Sequence, residues 1–236
     1  MSDTLTIPVS SGTMPAQLAR PTTAPAALII LAYGSDGPFD NATGPWKTMI
    51  DGFVADLTRA GFAVVMPDYL SATRTAPGSA ALELIARHRD AWEAAILATI
   101  ATSAAAPGLA GLPAGLLGFS LGAHLCLRVR KAASVLVAFY APVLDGIGAA
   151  GTLSHAQIHH GTADQVPGTG YSNAGIIAAQ LSGEGTLVDL NTYPGAGHGF
   201  VGTDPANTAA RKQSQHRTVA FFTAHIGRPA DGMEVR

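Results

Sequence analysis

The sequence predicts an α/β fold in which a doubly wound, mostly parallel sheet carries helices on both faces. Three observations predict it. Short apolar runs rich in Val, Ile and Leu alternate with helix-length segments, and near-continuous hydrophobicity is the mark of strands buried on both faces. The chain is 47% hydrophobic and only 13% charged, so a large buried core is within its means. Its 236 residues show no internal repeat, no low-complexity linker and no shift in composition, which leads us to expect one domain over residues 1–236.

The elements follow in order. Leu5–Val9 and Met14–Arg20, separated by Ser11-Gly12-Thr13, read as a leading β-hairpin, with Pro8 and Pro15 suiting edge positions. Strands at Ala26–Ala32 and Phe62–Met66 flank Trp46–Ala60, where Met49, Ile50, Phe53, Val54 and Leu57 recur at helical spacing and Gly61 supplies the stop. That is one βαβ unit. Further strands are expected at Gly115–Phe119, Val135–Tyr140, Ala156–His160 and Leu187–Tyr193. Helices are expected at Ala80–Ala101, Leu121–Lys131, Gly170–Leu181 and Asn207–His225, and this alternation implies double winding. Leu70–Ser79 and Ala104–Pro113 are loop-like, and the first is a candidate to border the functional site.

Charge and hydropathy narrow the function classes. Fourteen Lys and Arg against sixteen Asp and Glu give a net charge of −2 without a basic cluster, which speaks against a nucleic-acid partner. The longest apolar runs, such as Ala26–Ala32 and Val135–Ala141, fall far short of the roughly 20 residues that cross a bilayer. The sole cysteine, Cys126, has no intramolecular partner, and Met1-Ser2-Asp3-Thr4 lacks the basic and apolar regions of a secretory leader, so a cytoplasmic location is expected. The sequence leaves the oligomeric state open.

Gly118-Phe119-Ser120-Leu121-Gly122 places G-x-S-x-G where an apolar strand gives way to a helix. A serine there needs a sharp turn to expose its hydroxyl, and the flanking glycines remove Cβ atoms that would clash as strand and helix approach. Ser120 is therefore the candidate nucleophile. A serine hydroxyl needs an imidazole to take its proton and a carboxylate to orient that imidazole. Asp164, in the loop after Ala156–His160, and His198, in the glycine-rich loop after Leu187–Tyr193, complete the order Ser, Asp, His. Asp145, which also follows a strand, is the alternative carboxylate.

Acyl transfer also needs two donors for an oxyanion. The N–H of Leu121 is the first candidate, and the loop Tyr33-Gly34-Ser35-Asp36-Gly37-Pro38 offers the second, for which Ser35 is chosen over the neighbouring Gly34. Tyr33 and Arg74 are candidate substrate contacts, Arg74 toward a substrate carboxylate. No metal site is expected. His155 and His159 would lie about 13 Å apart on an extended strand, with His159 and His160 on opposite faces. His88, His124, His216 and His225 fall on helices without a ligating pattern, and Cys126 reads as a small buried apolar group.

These residues resemble the dienelactone hydrolase family of α/β-hydrolases. The likeness rests on Gly118-Phe119-Ser120-Leu121-Gly122, His160-Gly161-Thr162-Ala163-Asp164, Tyr193-Pro194-Gly195-Ala196-Gly197-His198-Gly199-Phe200 and Val65-Met66-Pro67-Asp68-Tyr69, and spans nearly the whole chain. The resemblance implies an α/β-hydrolase fold and a cofactor-free hydrolase acting on small-molecule esters or lactones. The founding members use cysteine where this chain has Ser120, and many relatives carry histidine where it has Tyr33. The serine points to general ester chemistry. Two other uses of the same constellation stay open: acyl transfer or perhydrolysis with another acceptor, and a non-catalytic small-molecule receptor.

Overall fold

The structure, a computed structural model, describes residues 2–151 and 153–226. Met1 of the amino-terminal tetrapeptide lies outside them. Among the described residues ten strands form in chain order: β1 Ser2–Val9, β2 Gly12–Ala19, β3 Ala27–Ala32, β4 Asp40–Asn41, β5 Gly44–Pro45, β6 Phe62–Pro67, β7 Ala114–Phe119, β8 Val135–Phe139, β9 His155–Gly161 and β10 Leu187–Tyr193. All but the two-residue β4 and β5 join one eight-stranded sheet in the order β1-β2-β6-β3-β7-β8-β9-β10. The first three strands are antiparallel neighbours, and every pairing from β6 to β10 is parallel.

The helices are α1 Trp46–Arg59, α2 Ala80–Glu83, α3 Ile85–Ala105, α4 Leu121–Arg128, α5 Ser172–Gly183 and α6 Pro205–His225. α1 and α6 pack together on one face, while α3 and α4 pack together on the other. The right-handed rule for parallel crossovers puts α5 with α3 and α4, since β9-α5-β10 runs in the same direction along the sheet as β7-α4-β8. β3, β6, β7 and β8 between these layers are wholly apolar and buried along nearly their full length, as two-sided burial requires.

Several expectations need correction. β2 is an interior strand, and Pro15 is tolerated because the ladder with β6 begins only at Ala16. The helix expected from Ala80 to Ala101 is two helices, broken at Leu84, whose φ of −88° and ψ of 0° fall in the sparsely allowed bridge region. Part of the loop-like Leu70–Ser79 is a 3₁₀ turn, Tyr69–Thr73. β10 is the outer edge, with Leu187 65% and Leu190 43% exposed, not a strand buried on both faces.

The order of winding reverses at β3, since the chain goes from β3 outward to β6 and then returns past it to β7. Such a switch point opens a crevice at the carboxyl ends of the strands. The loops leaving β3, β7, β9 and β10 at that edge carry Ser35, Ser120, Asp164 and His198 respectively.

Candidate active site

Ser120 sits between the end of β7 and the start of α4, with φ 50° and ψ −116°. That conformation is strained for any residue with a Cβ. It is held from both sides: the Ser120 N–H donates to the Phe139 carbonyl at 3.0 Å, and the Ser120 carbonyl accepts from the His124 N–H at 3.0 Å. The flanking glycines are steric necessities. A Cβ at Gly118 would lie 2.5 Å from the Ala123 Cα, and one at Gly122 would lie 2.2 Å from the Ala32 carbonyl oxygen.

Ser120 Oγ lies 3.1 Å from His198 Nε2, and His198 Nδ1 lies 2.8 Å from Asp164 Oδ2. The Asp164 side chain is fully buried, so its oxygens need donors and find four. Oδ1 accepts from the Val166 N–H at 3.1 Å and the Thr169 hydroxyl at 3.0 Å, while Oδ2 accepts from His198 and from His160 Nε2 at 3.0 Å. Burial by itself would raise the carboxyl, but the hydrogen bonds from His160 and His198 outweigh it and hold Asp164 well below the usual carboxylate range. The imidazole of His198 is thereby fixed with its proton on Nδ1 and its Nε2 lone pair facing the serine hydroxyl.

The two loops are joined by backbone. The Ala163 N–H donates to the Ala196 carbonyl and the Thr162 N–H to the Tyr193 carbonyl, each at 3.0 Å. Tyr140 packs edge-on against the His198 ring at 4.7 Å between centroids. Asp145, the alternative carboxylate, is turned to solvent and pairs with Arg89 at 3.2 Å.

His160, for which the sequence indicates no role beyond a core, loop or polar contact, supports the carboxylate. Its buried Nε2 faces two acceptors, Asp164 Oδ2 at 3.0 Å and the Thr169 carbonyl at 2.7 Å, so it carries the proton. Its place four residues before Asp164, at the end of the same strand, was the available signal. His159 points the other way, into contact with Tyr193 and Gln157.

Leu121 opens α4, so its N–H has no acceptor within the helix. Gly34 and Ser35 both line the cavity beside Ser120, and a Cβ on Gly34 would lie 3.4 Å from that of Ser120. The cavity measures about 640 Å³. Trp46, Met49, Ile50, Leu82, Leu144 and Val166 are among the side chains that make its lining mainly apolar. The Trp46 indole is wedged where a Cβ on Gly199 would lie 2.4 Å from the ring and one on Gly44 2.9 Å. Its Nε1–H donates to Thr43 Oγ1 at 2.8 Å.

Neither candidate substrate contact reaches this cavity. Tyr33 is buried: its hydroxyl donates to Asp68 Oδ1 at 2.7 Å, and its ring stacks on Tyr69 at 4.7 Å. Arg74 is exposed at the end of the Tyr69–Thr73 turn. The last residues of the Leu70–Ser79 segment do reach the site, since Ser79 lines the cavity and the Gly78 N–H donates to the Ser35 carbonyl at 2.8 Å. Cys126 is fully buried, which pushes its thiol far up. Among the described residues, no three His, Cys, Asp or Glu side chains converge as a metal site, and no helix is long and apolar enough to cross a membrane.

A mostly parallel sheet with Ser, Asp and His in that order on the loops at its carboxyl edge is the arrangement of the α/β-hydrolase fold. The comparison with family models is specific: residues 14–226 match the dienelactone hydrolase family, and the chain belongs to it, a family of hydrolases. Solved structures agree on the fold. An α/β serine hydrolase without a lid from Xanthomonas campestris superposes with a TM-score of 0.72 at 15% identity, over 97% of this chain and 96% of that one. A dienelactone hydrolase-like promiscuous phosphotriesterase, P91, from metagenomic libraries gives 0.76 at 15% identity, over 96% and 98%. The acylaminoacyl peptidase of Pyrococcus horikoshii gives 0.72 at 13% identity over 99% of this chain but 43% of that one. No curated protein matches the chain in sequence.

Proposed function

We propose that the protein is a cytoplasmic, single-domain serine hydrolase that cleaves small carboxylic esters or lactones through an acyl-enzyme. The observation that carries this reading is the unbroken relay from Ser120 Oγ through His198 to a buried, ionised Asp164, opening onto an apolar cavity. Ser120 Oγ attacks the ester carbonyl carbon while His198 Nε2 takes its proton. The carbonyl electrons move to oxygen, where the N–H groups of Leu121 and Ser35 receive the charge. As the tetrahedral species collapses, His198 returns the proton to the departing alkoxide. Water then attacks the acyl-serine with His198 again as base, releasing the acid and restoring Ser120. Asp164 stays ionised throughout, orienting the imidazole and stabilising its charged form. These steps call for no cofactor.

The test is hydrolysis of p-nitrophenyl acetate and butyrate by the wild-type chain and by Ser120→Ala. Loss of the nucleophile is expected to lower kcat by about 10⁴ to 10⁶. Equal rates in the two proteins would refute the assignment.

A further inference from the structure

The cavity beside Ser120 has a charge pattern that bears on which substrates it takes. Among the described residues, its only charged side chains besides the relay are two carboxylates, Asp36 and Glu83, and no Lys or Arg lines it. Neither carboxylate has an ion-pair partner among the described residues. They belong to one flank: Asp36 follows Ser35 in the loop after β3, Glu83 ends α2, and the Gly78–Ser35 backbone hydrogen bond joins the two segments. The remaining wall is the apolar surface of Trp46, Met49, Leu82, Leu144 and Val166. Arg74, the cation expected to receive a substrate carboxylate, is out in solvent instead.

We propose that this cavity selects esters whose body is uncharged and apolar, and discriminates against substrates carrying a carboxylate, with Asp36 and Glu83 as the selecting charges. The inference rests on the ester-hydrolase reading of the same site and goes beyond it in naming the substrate class. Burying a carboxylate against this lining removes its water without supplying a counter-charge or enough donors. Two fixed negative charges at one flank add repulsion, which is stronger beside a low-dielectric wall than in bulk water. An apolar chain of similar length meets neither cost and displaces water from apolar surface.

The experiment compares p-nitrophenyl pentanoate with p-nitrophenyl hemisuccinate, each rate divided by that ester's hydroxide-catalysed rate. The neutral ester is expected to have the higher kcat/KM by about tenfold or more at low ionic strength, with the ratio shrinking as salt screens the exposed Glu83. In the Asp36→Asn/Glu83→Gln double variant the ratio should fall severalfold. The same pair is also measured for binding to Ser120→Ala by ligand-observed NMR, which needs no turnover. If neither ester is cleaved by the wild type, the hydrolase reading fails, while preferential binding of the pentanoate still upholds the charge selection. Equal or better use of the hemisuccinate, or a ratio unmoved by the double variant, would overturn it.

Discussion

Exchanging Ser120 for glycine should give a more stable protein than exchanging it for alanine. Both variants lose the hydroxyl and its hydrogen bond to His198, so those effects cancel in the comparison. What differs is the backbone. At φ 50° and ψ −116° a residue with a Cβ carries strain of about 1–3 kcal/mol, which alanine keeps and glycine releases. Glycine also makes the unfolded chain more disordered, at a cost of roughly 0.5–1 kcal/mol. The net gain is about 1 kcal/mol, or about 2–4 °C in Tm for a chain of this size. Calorimetry of the purified pair, with urea unfolding as a second readout, measures it. A glycine variant less stable than the alanine variant by that full entropy cost, about 0.5–1 kcal/mol, would show that the turn stores no strain, and the account of how the fold exposes Ser120 would fall with it.

Other outcomes follow from the same geometry. His160→Ala removes one of four donors to Asp164 and should lower kcat about tenfold or more with little change in KM; His160→Gln, which can still donate, should recover part of it, and a loss confined to KM would contradict the positioning role. Acid should destabilise the fold through two buried histidines, His124 and His159, which burial holds down to about 4 and about 3. Their folded values lie below the unfolded value near 6.5, so the unfolded chain binds protons first, and each costs roughly 1–2 kcal/mol between pH 7 and pH 5. Urea unfolding across that window checks the slope, and a flat profile would mean that these rings are not buried neutral.

The sequence made the parallel strands legible because two-sided burial leaves uninterrupted apolar runs, as in Ala27–Ala32 and Val135–Phe139. It misled at β10, where Leu187, Val188 and Leu190 look like core although the edge strand leaves Leu187 and Leu190 exposed and Val188 only partly buried. The break at Leu84 was invisible because the alanine-rich segment around it keeps no apolar stripe to interrupt. At the site, strand-end position identified which loops meet, and the structure brings Ser120, Asp164 and His198 within hydrogen-bond range. Side-chain direction was harder. Tyr33 stands beside Ser35's loop in sequence, yet Asp68 and Tyr69 claim its hydroxyl and its ring. The role of His160 was not legible because it is defined by Thr169 and Asp164 together, a pairing that only the folded loop creates.

The seat of Trp46 bears on how this site can diversify. The indole leans on Gly199, the residue after His198, and on Gly44, leaving no room for a methyl group at either position. A larger residue there displaces the ring and, through residue 199, disturbs the backbone that carries the imidazole. If His198 is the base, as proposed, a single substitution that enlarges or reshapes this wall should therefore cost turnover. Leu82 and Leu144 line the same cavity from segments that hold none of the three relay residues. Substitutions there can reshape the cavity without moving the histidine, whereas the tryptophan wall and the imidazole are sterically tied to one another.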